Sequence, residues 1–251
     1  MKPDTASDHT AFEVLTSTGQ FPLLLTCEHA SHAVPAEYDK LGIADDDLRR
    51  HIGWDIGARG VVETLAHALD APAVCSGYSR LLIDCNRRLS DADLIVGESD
   101  GTTIPANREV SAQERQRRIA RFYHPYHETI DRLITDRKGQ ELRLLSVHSF
   151  TSVLRKQERP FDIGVLFDRY EELAQDLGRR LHAQGYRVRD NEPYSGYDGL
   201  IFSACDHGER HGLVYLELEI NSRLIAIPAQ AGQVGGVISG VLRELFGKKQ
   251  Q

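Results

Sequence analysis

Histidines and carboxylates stand near the ends of several apolar segments of this chain. His29 follows one apolar run and His148 follows another, and Glu219 lies near the end of a third. Two imidazoles and one carboxylate are the usual protein ligands of a catalytic zinc ion. A separate carboxylate can take a proton from the attacking water molecule. These residue types are therefore typical of a metal-dependent hydrolase.

Three further polar residues accompany them. Asp55 stands at the start of a predicted helix, either as a helix cap or as a side chain directed into the cleft. Asn86 and Arg87 follow the segment LLIDCN, and an arginine beside an asparagine can bind a substrate carboxylate because the guanidinium fork matches it. The spacing is dispersed and contains no HExxH motif, so structural histidines with satisfied hydrogen bonds remain the alternative.

Strands and helices alternate along the chain, and this alternation must position the polar groups. Apolar runs and period-2 patterns predict strands at 21–25, 71–79, 81–86, 142–147, 161–167, 186–190 and 213–220. Helical spacing predicts helices at 44–50, 54–69, 111–137 with a break at Pro125, 170–184 and 230–246. The pattern indicates an α/β fold, a single-domain three-layer αβα sandwich with a mostly parallel mixed sheet. Residues 1–17 are expected to form a loose N-terminal arm or a short edge element.

Composition narrows the class of protein. A hydrophobic fraction of 41% with 27% charged residues is ordinary for a globular domain with a sizeable core. The net charge of -7 argues against a nucleic-acid partner, and no apolar run is long enough to span a membrane. The four cysteines form no CxxC pair, which favours reduced thiols and a cytoplasmic location.

A series of short motifs runs through most of the chain. In order they are CEHAS (27–31), GWDIGA (53–58), SRLLIDCNR (79–87), DGTTIPAN (100–107), YHPYH (123–127), HSFT (148–151), RPFDIGVL (159–166), DNEPYSG (190–196) and LELEI (216–220). By their number and order, the chain resembles the N-formylglutamate amidohydrolase (N-formylglutamate deformylase) family. The resemblance implies a fold related to the zinc carboxypeptidases and peptidoglycan amidases. It also implies one zinc ion per chain and hydrolysis of an amide on a small acidic amino-acid derivative.

The resemblance also implies roles for individual residues. His29 and His148 would be the two imidazole ligands of the metal, and Asp55 the carboxylate ligand. Glu28 is the rival for the carboxylate position, although neighbouring residues on an extended strand end point apart. Glu219 would be the general base, while Glu217 lies on the same face of its predicted strand.

Substrate binding is assigned in the same way. Asn86 and Arg87 would bind a substrate carboxylate, and Arg80 could add a second cation to the pocket. Members of the family commonly have an arginine two residues after the catalytic glutamate, whereas this chain has Asn221 there and Arg223 two residues later. The departure bears on the substrate more than on the metal.

Other activities are also compatible with these residues. A zinc carboxypeptidase-like or cell-wall-amidase-like hydrolase of a small peptide would use the same groups, and an inactive homologue would bind a ligand without turnover. A thiol or serine hydrolase would need Cys27 or Ser149 as its nucleophile. Neither residue lies in a nucleophile elbow such as GxSxG.

Overall fold

The strands at the centre of the fold are almost completely buried, because helices cover both sides of the sheet. In the computed structural model, which describes residues 10–18, 20–154 and 156–247, seven strands form one sheet in the order β1-β3-β2-β6-β11-β9-β10. These seven strands are β1 (Phe12–Leu15), β2 (Leu23–Cys27), β3 (Ala73–Ser76), β6 (Arg143–Phe150), β9 (Ile163–Leu166), β10 (Val188–Asp190) and β11 (Val214–Asn221). Two small hairpins lie outside the sheet and are formed by β4 (Glu98–Ser99) with β5 (Thr102–Thr103) and by β7 (Val153–Leu154) with β8 (Gln157–Glu158).

Pairing in the sheet is mostly parallel. Strand β2 runs parallel to β3 and β6, β6 runs parallel to β11, and β10 runs parallel to β9. The antiparallel pairs are β1 with β3 and β11 with β9. The predicted mostly parallel mixed sheet is therefore confirmed. Because β2, β6 and β11 are parallel neighbours, their carboxyl ends meet at one edge.

Helices form a layer on each face of the sheet. The helices are α1 (Asp45–Leu48), α2 (Ala58–Leu69), α3 (Ala112–Arg118), α4 (His124–Thr135), α5 (Glu171–Ala183), α6 (Phe202–His211) and α7 (Pro228–Phe246). Helices α2, α5 and α7 bury their apolar sides in one core, and α1, α4 and α6 contribute to a second core on the opposite face. Within β2, Leu23 and Leu25 face the first core and Leu24 the second, as the strand period requires. The αβα layering is confirmed. Among the described residues, no helix combines the length and apolar character that a membrane crossing requires.

The break predicted at Pro125 lies at the junction of two helices. Helix α3 passes through a π-helical turn, Ile119–Tyr123, before α4 begins at His124 with the proline in its first turn. The His124 amide still donates to the Ile119 carbonyl, five residues back, and Pro125, which has no amide hydrogen, follows where the α-helical bonding pattern is interrupted. The predicted break is confirmed.

The segment at the amino terminus is not simply a loose arm. Strand β1, Phe12–Leu15, pairs antiparallel with β3 and forms an edge of the sheet, which is the edge element left open by the sequence. The remaining part of the predicted arm, residues 1–9, lies outside the described residues.

The strand predicted at 81–86 is wrong, because this segment consists of turns. The Ser79 hydroxyl accepts from the Leu81 amide and the Asp84 carboxylate accepts from the Asn86 amide, so local side-chain bonds replace a strand ladder. Moreover, β1 already occupies the free edge of β3, and the apolar residues of the segment pack into the second core instead.

The close approach of Glu192 to the sheet gives a stability prediction. A Cβ atom added at Gly164, in β9, would lie 1.8 Å from the Glu192 carbonyl oxygen. Overpacking of this kind typically costs about 1–3 kcal/mol. We expect Gly164→Ala to lower the free energy of unfolding in urea by about that amount. The matched control is Gly240→Ala, on an exposed face of α7 with no atom within 4 Å, which should raise stability by roughly 0.5–1 kcal/mol. A Gly164→Ala variant as stable as the parent would show that Glu192 does not pack against β9 in this way.

Candidate active site

His29, Asp55 and His148 converge at the carboxyl edge of the sheet. Asp55 Oδ2 lies 2.8 Å from His148 Nδ1 and 3.4 Å from His29 Nδ1. One ligand atom from each residue lies within 4.8 Å of the others, and all three side chains are buried. The structure therefore brings together the two imidazoles and the carboxylate that the sequence singled out.

Backbone hydrogen bonds position this group. His29 lies two residues beyond β2, and its carbonyl accepts from the Asp55 amide at 2.9 Å. The Ser149 amide donates to Asp55 Oδ2 at 3.2 Å. Asp55 precedes α2 by three residues instead of opening it, because Gly57 with φ +84° turns the chain into the helix at Ala58. A Cβ at Gly57 would lie 2.1 Å from the Ile225 carbonyl oxygen, so only glycine fits this turn.

A second pair of carboxylates holds the outer nitrogens of the two histidines. Asp84 Oδ1 lies 2.7 Å from His29 Nε2, and Glu28 Oε2 lies 2.9 Å from His148 Nε2. The Tyr126 hydroxyl donates to the other oxygen of Glu28 at 3.0 Å. A carboxylate on one imidazole nitrogen directs the lone pair of the other nitrogen toward a metal and fixes the ring orientation. Both Nδ1 atoms are thereby turned toward Asp55.

Glu28 and Asp84 are ionised by these contacts. Burial alone raises the pKa of Glu28, but the hydrogen bonds from His148 and Ser146 outweigh it and leave the pKa well below its usual range. The pKa of Asp84 is likewise lowered, because the charge and hydrogen bond of His29 exceed the cost of burial. Ionised carboxylates are the form that accepts a hydrogen bond from an imidazole N–H.

Glu217 and Glu219 line the same cavity from β11. In the parallel register Glu219 lies directly opposite His148, and Glu217 lies opposite Ser146. One carboxylate oxygen of each has no hydrogen-bond partner among the described residues, although both side chains are buried. Burial raises the pKa of Glu217 to about 7 and raises that of Glu219 well above its ordinary value, with the Asp55 charge adding to the second shift.

The two glutamates differ in their neighbours. Glu217 Oε2 approaches the outer nitrogen of His148, Nε2, at 3.6 Å, so it lies on the side of the ring that Glu28 occupies. Asp55, on the inner side of that ring, is the foremost charge acting on Glu219. Glu217 thus lies near the outer nitrogen of His148, whereas Glu219 lies opposite His148 in the register of the sheet.

Three predicted substrate-binding residues lie around the cavity. Arg80 donates to Asp55 Oδ1 at 3.1 Å, and its Nη2 lies 3.1 Å from His29 Nε2. It therefore contacts two of the three converging residues. Arg87 lines the cavity and pairs with the exposed Asp93 at 2.7 Å. Asn86 also lines it, but its side-chain oxygen accepts from the Ser203 amide at 2.9 Å. Asn86 thus fastens the start of α6, and Arg87 is the more available of the pair.

The cavity has a volume of about 590 Å³. Arg50 and His51 contribute to its wall in addition to the groups above, and Tyr194 and Leu200 contribute apolar surface. Cavities of a few hundred to about a thousand Å³ commonly take small molecules. The cavity is therefore large enough for a small-molecule substrate.

The chain matches a known protein family over most of its length. The model of the N-formylglutamate amidohydrolase family matches residues 21–226. The chain belongs to this family. As a member it is a hydrolase that acts on amide bonds, and the predicted family and enzyme class are confirmed.

Two solved structures are similar to this chain over nearly its whole length. A gene product of Agrobacterium tumefaciens is 30% identical, with a TM-score of 0.89 and 94% of each chain covered. The N-formylglutamate amidohydrolase of Ralstonia eutropha JMP134 is 22% identical, with a TM-score of 0.72, and the match covers 94% of this chain and 96% of that one. A search among curated proteins gives no match. At 22% identity the second likeness shows the fold alone.

The position at which the chain departs from the common family pattern is buried in structural contacts. Asn221 donates to the Phe161 carbonyl at 2.9 Å and accepts from the Ser152 hydroxyl at 2.8 Å. Arg223 pairs with Asp162 at 2.6 Å and does not line the cavity. Arg223 therefore does not replace the arginine that other members carry two residues after the glutamate.

The alternative nucleophiles are poorly placed. Cys27 is completely buried, and burial raises the pKa of its thiol well above its ordinary value, so the reactive thiolate is disfavoured. The Ser149 hydroxyl donates to the Ile56 carbonyl at 3.0 Å and has no imidazole as its acceptor. A nucleophile requires an adjacent base to activate it. The geometry favours water as the nucleophile.

Sequence reasoning missed the partners of the histidines. Asp84 lies inside the segment predicted to be a strand, and Tyr126 lies in the YHPYH motif, to which no role at the site was assigned. Tyr126 is fully buried, and its hydroxyl donates to Glu28. A buried tyrosine hydroxyl needs a partner, but the sequence does not show which residue supplies it.

Proposed function

We propose that this protein is a zinc-dependent amidohydrolase that cleaves the amide of an N-formyl or N-acyl acidic amino acid. The reference reaction is N-formyl-L-glutamate plus water to formate plus L-glutamate. The observation that carries the proposal is the convergence of His29 Nδ1, Asp55 Oδ2 and His148 Nδ1 in a cavity of about 590 Å³. The outer nitrogens of the two histidines are hydrogen-bonded to Asp84 and Glu28. Family membership supports the same reaction class.

The donor set fits a zinc ion. Two imidazole nitrogens and one carboxylate oxygen are a common set in catalytic zinc sites, which keep a further position for water. The outer contacts with Asp84 and Glu28 are the carboxylate–histidine pairs that accompany such ligands. Glu28, the rival ligand in the sequence, occupies this outer position, and Asp55 is the carboxylate that faces both inner nitrogens. When bound, the zinc ion would polarise the amide carbonyl and lower the pKa of a water molecule.

Glu219 is the proposed general base. It faces the three ligand residues from β11, is buried, and has an unpartnered carboxylate oxygen. A group in this position takes a proton from water as the water attacks the carbonyl carbon. The same group then gives the proton to the departing amine nitrogen, so that the C–N bond breaks and the carboxyl and amine products separate.

Two arginines complete the proposed site. The Arg80 guanidinium is held by Asp55 and lines the cavity, and its proposed role is to stabilise the negative charge that develops on the carbonyl oxygen in the transition state. Arg87 binds a substrate carboxylate, for which the exposed ion pair with Asp93 is a weak competitor. Asn86 positions the start of α6 beside it through the Ser203 amide. The four cysteines are free, which fits the proposed cytoplasmic location.

Metal content tests the ligand assignment. Because His148 supplies one of three ligand atoms, His148→Ala should lose the zinc of this site and with it the activity. The measurement is elemental analysis together with the rate of formate release from N-formyl-L-glutamate, with circular dichroism to show that the fold is retained. The control is His32→Ala, since His32 is outside the group and contacts the Trp54 ring. Full retention of zinc in folded His148→Ala would refute the assignment.

The two glutamates of β11 give a matched pair of variants. Glu219→Gln keeps the size of the side chain and removes its basicity, so kcat should fall about a hundred- to ten-thousand-fold while zinc content is unchanged. Glu217→Gln should have a much smaller effect, because Glu217 lies behind His148. If Glu217→Gln abolished activity and Glu219→Gln did not, the base would be on the proposed strand but at the other position. Normal activity in both variants would disprove this mechanism.

Substrate choice tests Arg87. Truncating one partner of a buried charge pair typically costs about 2–5 kcal/mol. The kcat/KM of Arg87→Ala on N-formyl-L-glutamate should therefore fall by the factor that corresponds to a loss of about 2–5 kcal/mol of transition-state binding. An N-formyl amino amide without a side-chain or α-carboxylate should be nearly indifferent to the change. The control is Arg50→Ala, because Arg50 also lines the cavity but pairs with Asp47 and Asp100. Equal losses on both substrates would make Arg87 a structural residue.

A further inference from the structure

A second group of metal-type ligands lies on the helical layer, away from the cavity. It comprises Asp131 on α4 and His207 and His211 on α6, with one ligand atom from each within 4.8 Å of the others. Asp131 Oδ1 lies 2.8 Å from His207 Nδ1 and 2.8 Å from His211 Nε2. None of the three residues lines the cavity of the proposed active site.

The local structure explains why the three atoms meet. His207 and His211 are four residues apart on α6 and therefore project from one face of the helix, and α4 presents Asp131 to that face. A single carboxylate oxygen is shared by two imidazole nitrogens. This is the same arrangement that Asp55 makes with His29 and His148.

We propose that Asp131, His207 and His211 form a second binding site for a divalent transition-metal ion, with zinc the expected occupant. Imidazole and carboxylate donors suit zinc, cobalt or nickel, whereas calcium and magnesium prefer all-oxygen sites. The site is independent of the proposed amidohydrolase reaction.

The outer contacts support a ligand role for His207. Its ring is completely buried, and its Nε2 lies 2.9 Å from His127 Nδ1, so the ring is held from behind. When His207 Nε2–H donates to His127, the lone pair of Nδ1 is directed toward Asp131. The side chains of His211 and Asp131 are 23% and 30% exposed, which leaves a path by which an ion can reach the site.

Arg210 competes with the metal at this site. Its Nη1 donates to Asp131 Oδ2 at 3.0 Å, and its Nη2 lies 3.0 Å from both His207 Nδ1 and Asp131 Oδ1, two of the proposed ligand atoms. The side chain is 45% exposed and also pairs with Asp206, so it can withdraw from His207 and remain on the helix surface. At the first site Arg80 contacts only the outer atoms His29 Nε2 and Asp55 Oδ1, whereas Arg210 contacts a proposed ligand atom directly, so the second site should be weaker than the first.

Bridging α4 and α6 gives the ion a structural effect. The ion would connect Asp131 on α4 to His207 and His211 on α6. The start of α6 is also held beside the cavity, because the Ser203 amide donates to Asn86. A metal that binds the folded protein alone raises its stability in proportion to the logarithm of the metal concentration over the dissociation constant. The site would clamp the helical layer next to the substrate cavity.

Zinc titration of the full-length, tag-free protein by calorimetry tests the proposal. Metal is first removed with a chelator, and Zn²⁺ alone is the probe. The wild type should bind two equivalents, the second more weakly. His211→Ala, a change on the surface of α6, should weaken the second equivalent by more than the roughly 10- to 100-fold that outer contacts of metal ligands contribute. Formate release by this variant should be unchanged.

Arg210→Gln is the matched variant of opposite sign. Removing the competing cation should tighten the second equivalent severalfold and leave the first unchanged. Whether or not the proposed catalytic residues bind zinc, the wild type should bind one more equivalent of zinc than His211→Ala binds at the same concentration. The two proposals can therefore fail separately. Equal stoichiometry and affinity in the wild type and His211→Ala, or weaker binding in Arg210→Gln, would overturn the second site.

Discussion

The burial of several carboxyl groups at one edge of the sheet is the constraint on which the site depends. The buried acidic side chains there are Glu28, Asp55, Asp84, Glu217 and Glu219. An unpaired ionised carboxylate in a protein interior costs several kcal/mol, so each group must be paired, coordinated or protonated. Hydrogen bonds to His29 and His148 serve the first three, and Arg80 adds its charge at Asp55 and Asp84. Burial leaves the two glutamates of β11 with raised pKa values. A divalent cation bound among these groups, as proposed, would reduce the repulsion between their negative charges.

The register of the sheet makes this concentration of charge possible. Parallel pairing places His148 of β6 opposite Glu219 of β11, and β2 on the other side of β6 delivers His29. The proposed ligand His148 and the proposed base Glu219 are thus carried by neighbouring, hydrogen-bonded strands. Asp55 joins them through backbone bonds to His29 and Ser149. A site built on strands keeps its geometry better than one built on loops.

The substrate side of the cavity has a different construction. Arg80, Asp84 and Arg87 lie in a segment of turns that packs its apolar residues against the sheet face. That segment supplies Asp84, which is hydrogen-bonded to the outer nitrogen of His29, and the two arginines that are proposed to act on the substrate. Asn221 does not line the cavity, because its side-chain amide binds Ser152 and Phe161 at the end of β11.

Much of the fold and part of the site were readable from the sequence. Apolar runs predicted the central strands β2 and β6, and the alternation in LVYLELEI predicted β11. The polar residues singled out at the ends of these segments include His29, His148 and Glu219, and the structure brings these three to one cavity. The series of short motifs identified the family. The apolar segment LLIDCN was misassigned, because a run of six buried residues has the same appearance in a strand and in turns that cover a core. Only the tertiary structure decided that Asp55 and not Glu28 faces the inner nitrogens, that Asp84 and Tyr126 hold the outer contacts, and that Asp131 meets His207 and His211. Each of these depends on contacts between residues distant in the chain, and the direction of a side chain across such a contact is set by packing, which no local pattern records.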